Sequence, residues 1–206
     1  MIRLAASAHA LSAAALLAFW YLYALVLPFD QLPQGIQPLA RHKAWTAISL
    51  TGGVGALIAL VGVVSLWRVE PALQSTLGNV GVLFACLGLA MLGANLFWEA
   101  LLWPPLAEQA PELLAFDGPI YQNRTLIAFF ATAGLLFSAG YICVGLALRS
   151  TPLPAPLLWC FMAGAPLFAL GPLFGALQVW VRSIGITTLA VGMLWLAWEL
   201  WPRPGS

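Results

Sequence analysis

Charge is scarce in this sequence. Eight Lys/Arg and seven Asp/Glu are spread over 206 residues, so 7% of the chain is charged and 62% is hydrophobic. A soluble domain carries about 25% charged residues, and this chain could not cover a water-facing surface with so few. Its apolar surface therefore faces lipid. The net charge is +1 and no basic run or stripe occurs, which excludes recognition of a nucleic-acid backbone. Histidine is rarer still, with only His9 and His42. His9 sits in an apolar run and His42 in a loop, so no second axial ligand faces the first, and neither a metal nor any other cofactor is expected. Cys86, Cys143 and Cys160 fall inside apolar runs without a C-x-x-C spacing and read as buried thiols. No Ser or Cys stands at a recognisable distance from a histidine, and no two carboxylates share a helix face. Accordingly, no catalytic residue is assigned and the chain is not expected to be an enzyme.

What the sequence has in abundance is long apolar runs. Six stand out, at about 4–27, 44–67, 77–103, 125–148, 156–178 and 184–201. Each approaches the roughly 20 residues that a helix needs to cross about 30 Å of hydrocarbon. Strand-like alternation is absent, and a backbone in lipid must satisfy its own hydrogen bonds, so the runs are helices. The predicted architecture is all-α: one polytopic membrane domain over residues 1–206, with six spans joined by short loops and packed as neighbours. The first run follows Arg3 but is too long for a signal peptide and lacks a small-residue cleavage site, so it reads as an uncleaved span. Trp45, Trp67, Trp98, Trp103, Trp159, Trp180, Trp198 and Trp201 lie near run ends, where an interfacial aromatic belt is expected.

The loops carry turn signals. Residues 30–43 contain Pro33, Gly35 and Pro38, and the longest connection, 104–124, contains a stretch from Ala110 to Phe116 that could form a surface turn with Pro111 at its start. Asn123-Arg-Thr125 matches a three-residue glycosylation sequon. Orientation is undecided by the cations. Arg3, Arg68, Arg149 and Arg203 fall on one side, and Arg41, Lys43, Arg124 and Arg182 on the other. Arg3 ahead of the first span favours a cytoplasmic N-terminus. The Gly/Ala-rich spans and short links are similar in composition to many small multi-pass bacterial proteins, which implies a bacterial plasma membrane and carries over no residue. Trp98-Glu-Ala-Leu-Leu-Trp-Pro104 and Trp198-Glu-Leu-Trp-Pro202 end the third and sixth spans alike, as an inverted duplication would require.

Helical spacing divides the spans into faces. Gly81, Ala85, Gly88, Asn95 and Glu99 share one stripe of the third span. Gly134, Ser138, Tyr141, Gly145 and Arg149 share one of the fourth, and Gly185, Thr188, Gly192, Trp195 and Glu199 one of the sixth. With Gly52, Gly55, Ala56 and Ala59 of the second span, these are expected to be the packing faces, because small residues let membrane helices approach closely. Pro166 and Pro172 predict a kinked fifth helix. Intramembrane polar groups mark a site if there is one. The candidates are Glu99, Asn95, Tyr141, Gln178 and His9, with Glu99 foremost.

The leading expectation is a non-enzymatic bundle that packs with itself, with partner subunits or with lipid. A transporter with its site between spans three, five and six is the alternative, and a lipid-modifying enzyme working near Glu99 or Arg41 is a weaker one. A polar cavity reaching mid-membrane and lined by Asn95, Glu99, Tyr141 and Gln178 would favour transport, and a solid apolar core the packing reading.

Overall fold

The structure, a computed structural model, describes residues 1–28, 32 and 35–201. Asp30, Pro33, Pro202 and Arg203 lie outside the described residues, so the loop and tail readings that use them are left there. Six helices are long and apolar enough to cross a membrane, and no strand occurs among the described residues. The chain is thus an all-α multi-pass membrane protein. The long helices are α1 (Ile2–Val26), α3 (Trp45–Val69), α4 (Thr76–Gln109), α5 (Arg124–Ala147), α6 (Ala155–Leu170) and α7 (Gln178–Leu200), with a short α2 (Gln37–Ala40) in the first loop.

Each long helix packs on its neighbours in sequence, and α7 returns to pack on α1. The result is a closed ring, α1–α3–α4–α5–α6–α7. Five of its six seams are built on glycine. Gly52, Gly55 and Gly62 lie against Phe19, Ala15 and His9 of α1, and Gly53 lies against Phe97 of α4. Gly81 and Gly88 meet the α5 backbone at Val144 and Phe137, while Gly140 meets the α4 backbone at Ala85. Gly134 and Gly145 face Ala169 and Met162 of α6, and Gly164 and Gly185 bring α6 and α7 backbone to backbone. The predicted packing stripes are therefore the buried ones, except at their polar ends, where Arg149 and Glu199 are exposed. The sixth seam, α1 on α7, is polar. Trp20 Nε1 donates to Ser183 Oγ at 2.8 Å, Tyr21 and Thr187 share a hydroxyl bond at 2.8 Å, and Ser12 Oγ donates to Met193 Sδ at 3.8 Å.

Several boundaries differ from the sequence reading. The third span runs on through Pro104 and Pro105 to Gln109. A proline in a helix leaves the carbonyl four residues earlier without its amide partner. Here that is Ala100, whose carbonyl accepts from Thr46 Oγ1 at 3.1 Å. The freed group thus has a partner across the seam, and the helix continues. Its C-terminal carbonyl Ala107 O accepts from Arg41 Nε at 2.8 Å, a side-chain cap. The longest connection shrinks to 110–123, and the expected turn is present as a 3-10 segment, Pro111–Leu114, with Pro111 at its start.

The fifth span ends at Leu170 rather than 178. A 3-10 segment, Gly171–Leu177, follows, and Pro172 lies there instead of inside a helix, while Pro166 stays within α6. Gly175 in this segment has φ 53, which side-chain-bearing residues rarely adopt. α7 therefore starts at Gln178 and not at 184. The belt reading also needs correction. Trp159, Trp180, Trp198 and Trp201 face outward, but Trp45 and Trp103 are buried and stack on each other at 5.5 Å inside the bundle. Asn123 is the N-cap of α5, its Oδ1 accepting from Leu126 N at 3.1 Å.

Candidate functional site

The ring encloses a cavity of about 140 Å³. All six long helices contribute to its wall. Leu16, Leu89, Ala56, Phe137 and Ile186 make one part apolar, whereas Asn95 and Glu99 of α4 and Arg182 of α7 make the other part polar, beside Trp20 and Tyr23 of α1. Along α4 the lining runs from Leu89 to Glu99, about 15 Å at 1.5 Å per residue. The cavity thus extends from mid-bundle toward one end of the ring.

The carboxylate is held on a fixed backbone. Trp45 Nε1 donates to Glu99 O at 3.0 Å, and Thr46 binds the next carbonyl, so the first turn of α3 pins the turn of α4 that bears Glu99. Asn95 lies one turn earlier on the same face, and its Nδ2 donates to Glu99 Oε1 at 2.6 Å. Asn95 Oδ1 is buried and has no hydrogen-bond partner.

The opposite charge comes from the start of α7. Arg182 lies with its guanidinium carbon 4.4 Å from the Trp20 ring centre and 4.8 Å from that of Phe168. Aromatic faces attract a cation, by about 2 kcal/mol or more when it is desolvated. Gly171 makes this placement possible, because a Cβ there would collide with Arg182 Cγ. The Nε of Arg182 is buried and without a hydrogen-bond partner. The side-chain hydrogen bond of Glu99 goes to Asn95, and none joins it to Arg182. No family model, curated protein or solved structure matches the chain.

The structure divides the candidates named from sequence. Asn95 and Glu99 are brought together and line the cavity. Tyr141 is 1% exposed and stacks on Phe161 at 5.8 Å, next to the lining residue Phe137 but outside the cavity. Gln178 is the first residue of α7, one turn before Arg182, and does not line it. His9 is buried in the α1–α3 seam, its Nδ1 2.8 Å from Ala5 O. It lies about 21 Å along α1 from Tyr23, toward the other end of the bundle. Among the described residues no three His, Cys, Asp or Glu gather as a metal site.

Arg182 and the aromatic pair Trp20 and Tyr23 are what sequence reasoning missed. A sixth span starting at 184 leaves Arg182 in a loop, whereas α7 begins at Gln178. The signal was present nonetheless. Arg182 precedes Gly185, Ile186 and Leu189 by three, four and seven residues, which is the buried stripe of α7. Trp20 and Tyr23 follow Leu16 by four and seven residues in the same way.

Proposed function

We propose that this protein is a small-solute carrier, and that the cavity inside the ring of six helices is its binding site. One observation carries the reading: a guanidinium and a carboxylate face the same interior cavity without bonding to each other. Ionisable groups buried inside a membrane bundle are costly and mark ligand pathways, because a charge left unpartnered in an apolar interior is disfavoured by a few kcal/mol or more. A bundle that only packs would be as stable with apolar residues at both positions. The cavity approaches the volume of an apolar pocket that admits benzene, about 150 Å³, which suits a small solute and not a whole lipid. The bacterial plasma membrane is the setting we infer. Self-association and partner subunits rank behind solute transport, and enzymatic action ranks last.

The test is uptake. Purified protein is reconstituted into liposomes and exposed to a panel of amino acids, short carboxylates, small amines and sugars, and washed vesicles are assayed by mass spectrometry. At least one class should enter faster than into protein-free vesicles, and Arg182→Gln and Glu99→Gln should abolish that excess while remaining folded. Wild-type vesicles that take up nothing, or uptake indifferent to both substitutions, refute the proposal.

A further inference from the structure

The polar wall of the cavity is asymmetric in its hydrogen-bonding capacity. On the α7 side, Arg182 offers donors only, and its buried Nε has no acceptor. On the α4 side, Glu99 offers acceptors, and Asn95 Oδ1 has no donor. The Asn95 amide nitrogen is committed to Glu99 at 2.6 Å, and its oxygen is buried behind that contact. The charged groups that line the cavity are thus Arg182 on one wall and Glu99 on the other, with no bond between them. Direct pairing of the two walls does not occur, since Arg182 is drawn onto the Trp20 and Phe168 rings and Glu99 onto Asn95.

A simple anion would satisfy Arg182 and be repelled by Glu99. A simple cation would have the converse problem. Only a molecule bearing both groups answers both walls. The remaining wall, with Leu16, Ala56, Leu89, Phe137 and Ile186, excludes water and favours an apolar substituent.

On the carrier reading above, we propose that the ligand is a small zwitterion with an apolar side chain, of the α-amino-acid type. Its carboxylate lies against Arg182, and its ammonium lies against Glu99. Charge-assisted bonds of this kind are roughly twice as strong as neutral ones. Gly171 enters the site indirectly, by giving the stem of Arg182 its place.

The experiment uses the full chain in nanodiscs, with thermal stabilisation read against concentration for three probes. L-leucine carries both charges, 4-methylpentanoate lacks the amine, and 3-methylbutylamine lacks the carboxylate. Leucine is expected to stabilise the protein, and each truncated probe to bind about ten- to a hundredfold more weakly. Arg182→Gln and Glu99→Gln should weaken leucine by a similar factor. Arg182→Gln should bring the affinity for 3-methylbutylamine close to that for leucine, and Glu99→Gln should do the same for 4-methylpentanoate. This exchange is something that loss of fold cannot produce. Equal stabilisation by leucine and either truncated probe overturns the zwitterion assignment, as does no stabilisation by leucine. If some other class still enters the liposomes, the carrier reading survives that failure. Leucine binding without uptake of any solute sinks the carrier and keeps the site.

Discussion

Consider a methyl group added at Gly164. A Cβ there would stand 2.5 Å from Leu189 N, 2.8 Å from Leu189 Cα and 2.9 Å from Gly185 O. All three atoms are backbone, so no side chain can rotate away. An ordinary contact begins near 3.4 Å, so α6 and α7 must separate by nearly 1 Å or bend. Forced separation of a packed interface costs about 1–3 kcal/mol. The added methyl also raises helix propensity, an offset of up to about 1 kcal/mol. Gly164→Ala is therefore expected to destabilise by about 1–2 kcal/mol net, which is a drop of several degrees in Tm for a chain of this size. Gly134→Ala is the matched control. Its Cβ would meet Ala169 Cβ at 3.6 Å, ordinary van der Waals distance, in the neighbouring seam. It should leave Tm unchanged or raise it. Both are read from tryptophan fluorescence during heating in a single mild detergent. Equal loss in the two variants, or a silent Gly164→Ala, would show that backbone proximity does not hold this ring together.

Other expectations follow from the same geometry. Thr46→Val should cost about 1–3 kcal/mol by orphaning the Ala100 carbonyl, and much less in a Pro104→Ala background, where an amide is restored; unfolding titrations of the four proteins give that cycle. Gly171→Ala should lower Tm by displacing Arg182, yet have little effect once Arg182→Ala is present, and additive losses would disprove the contact. Arg182→Lys keeps the charge but loses the flat group over Trp20 and Phe168, so Tm should fall by a few degrees. Single cysteines in 110–123 should label from the opposite side of the membrane to those in 70–75, and labelling from one side breaks the six-span topology.

How much of this was legible in the chain depends on what kind of signal encoded it. The spans and packing faces are local and periodic, so Gly81, Gly88, Gly185 and Gly192 could be placed inward from spacing alone. Glu99 and Asn95 share a turn, and their pairing too could be anticipated. Arg182 continues the buried stripe of α7, but spacing alone does not give its depth, which depends on where α7 begins. That in turn depends on Gly171 and Pro172 ending α6 early. A proline can end a helix or be absorbed by it, and neighbours decide which. Pro104 is absorbed because Thr46 reaches the carbonyl it frees, and Thr46 lies 54 residues away in sequence from Ala100. Trp45 and Trp103 misled for a related reason: closeness to a span end does not say whether a ring points to lipid or to the facing helix.

The polar seam between α1 and α7 has a consequence for biosynthesis. These helices are the first and the last of the six to leave the ribosome, and their bonds join residues 163 to 181 positions apart. The five glycine seams can form in turn as each new helix arrives beside its predecessor. The α1–α7 seam must wait for the sixth helix. Until then the Trp20 indole and the Tyr21 hydroxyl lack their α7 partners, and the guanidinium has not entered the membrane. Ring closure and assembly of the charged site are therefore one event. Any nascent chain stalled before α7 holds a carboxylate in its interior with no cation opposite.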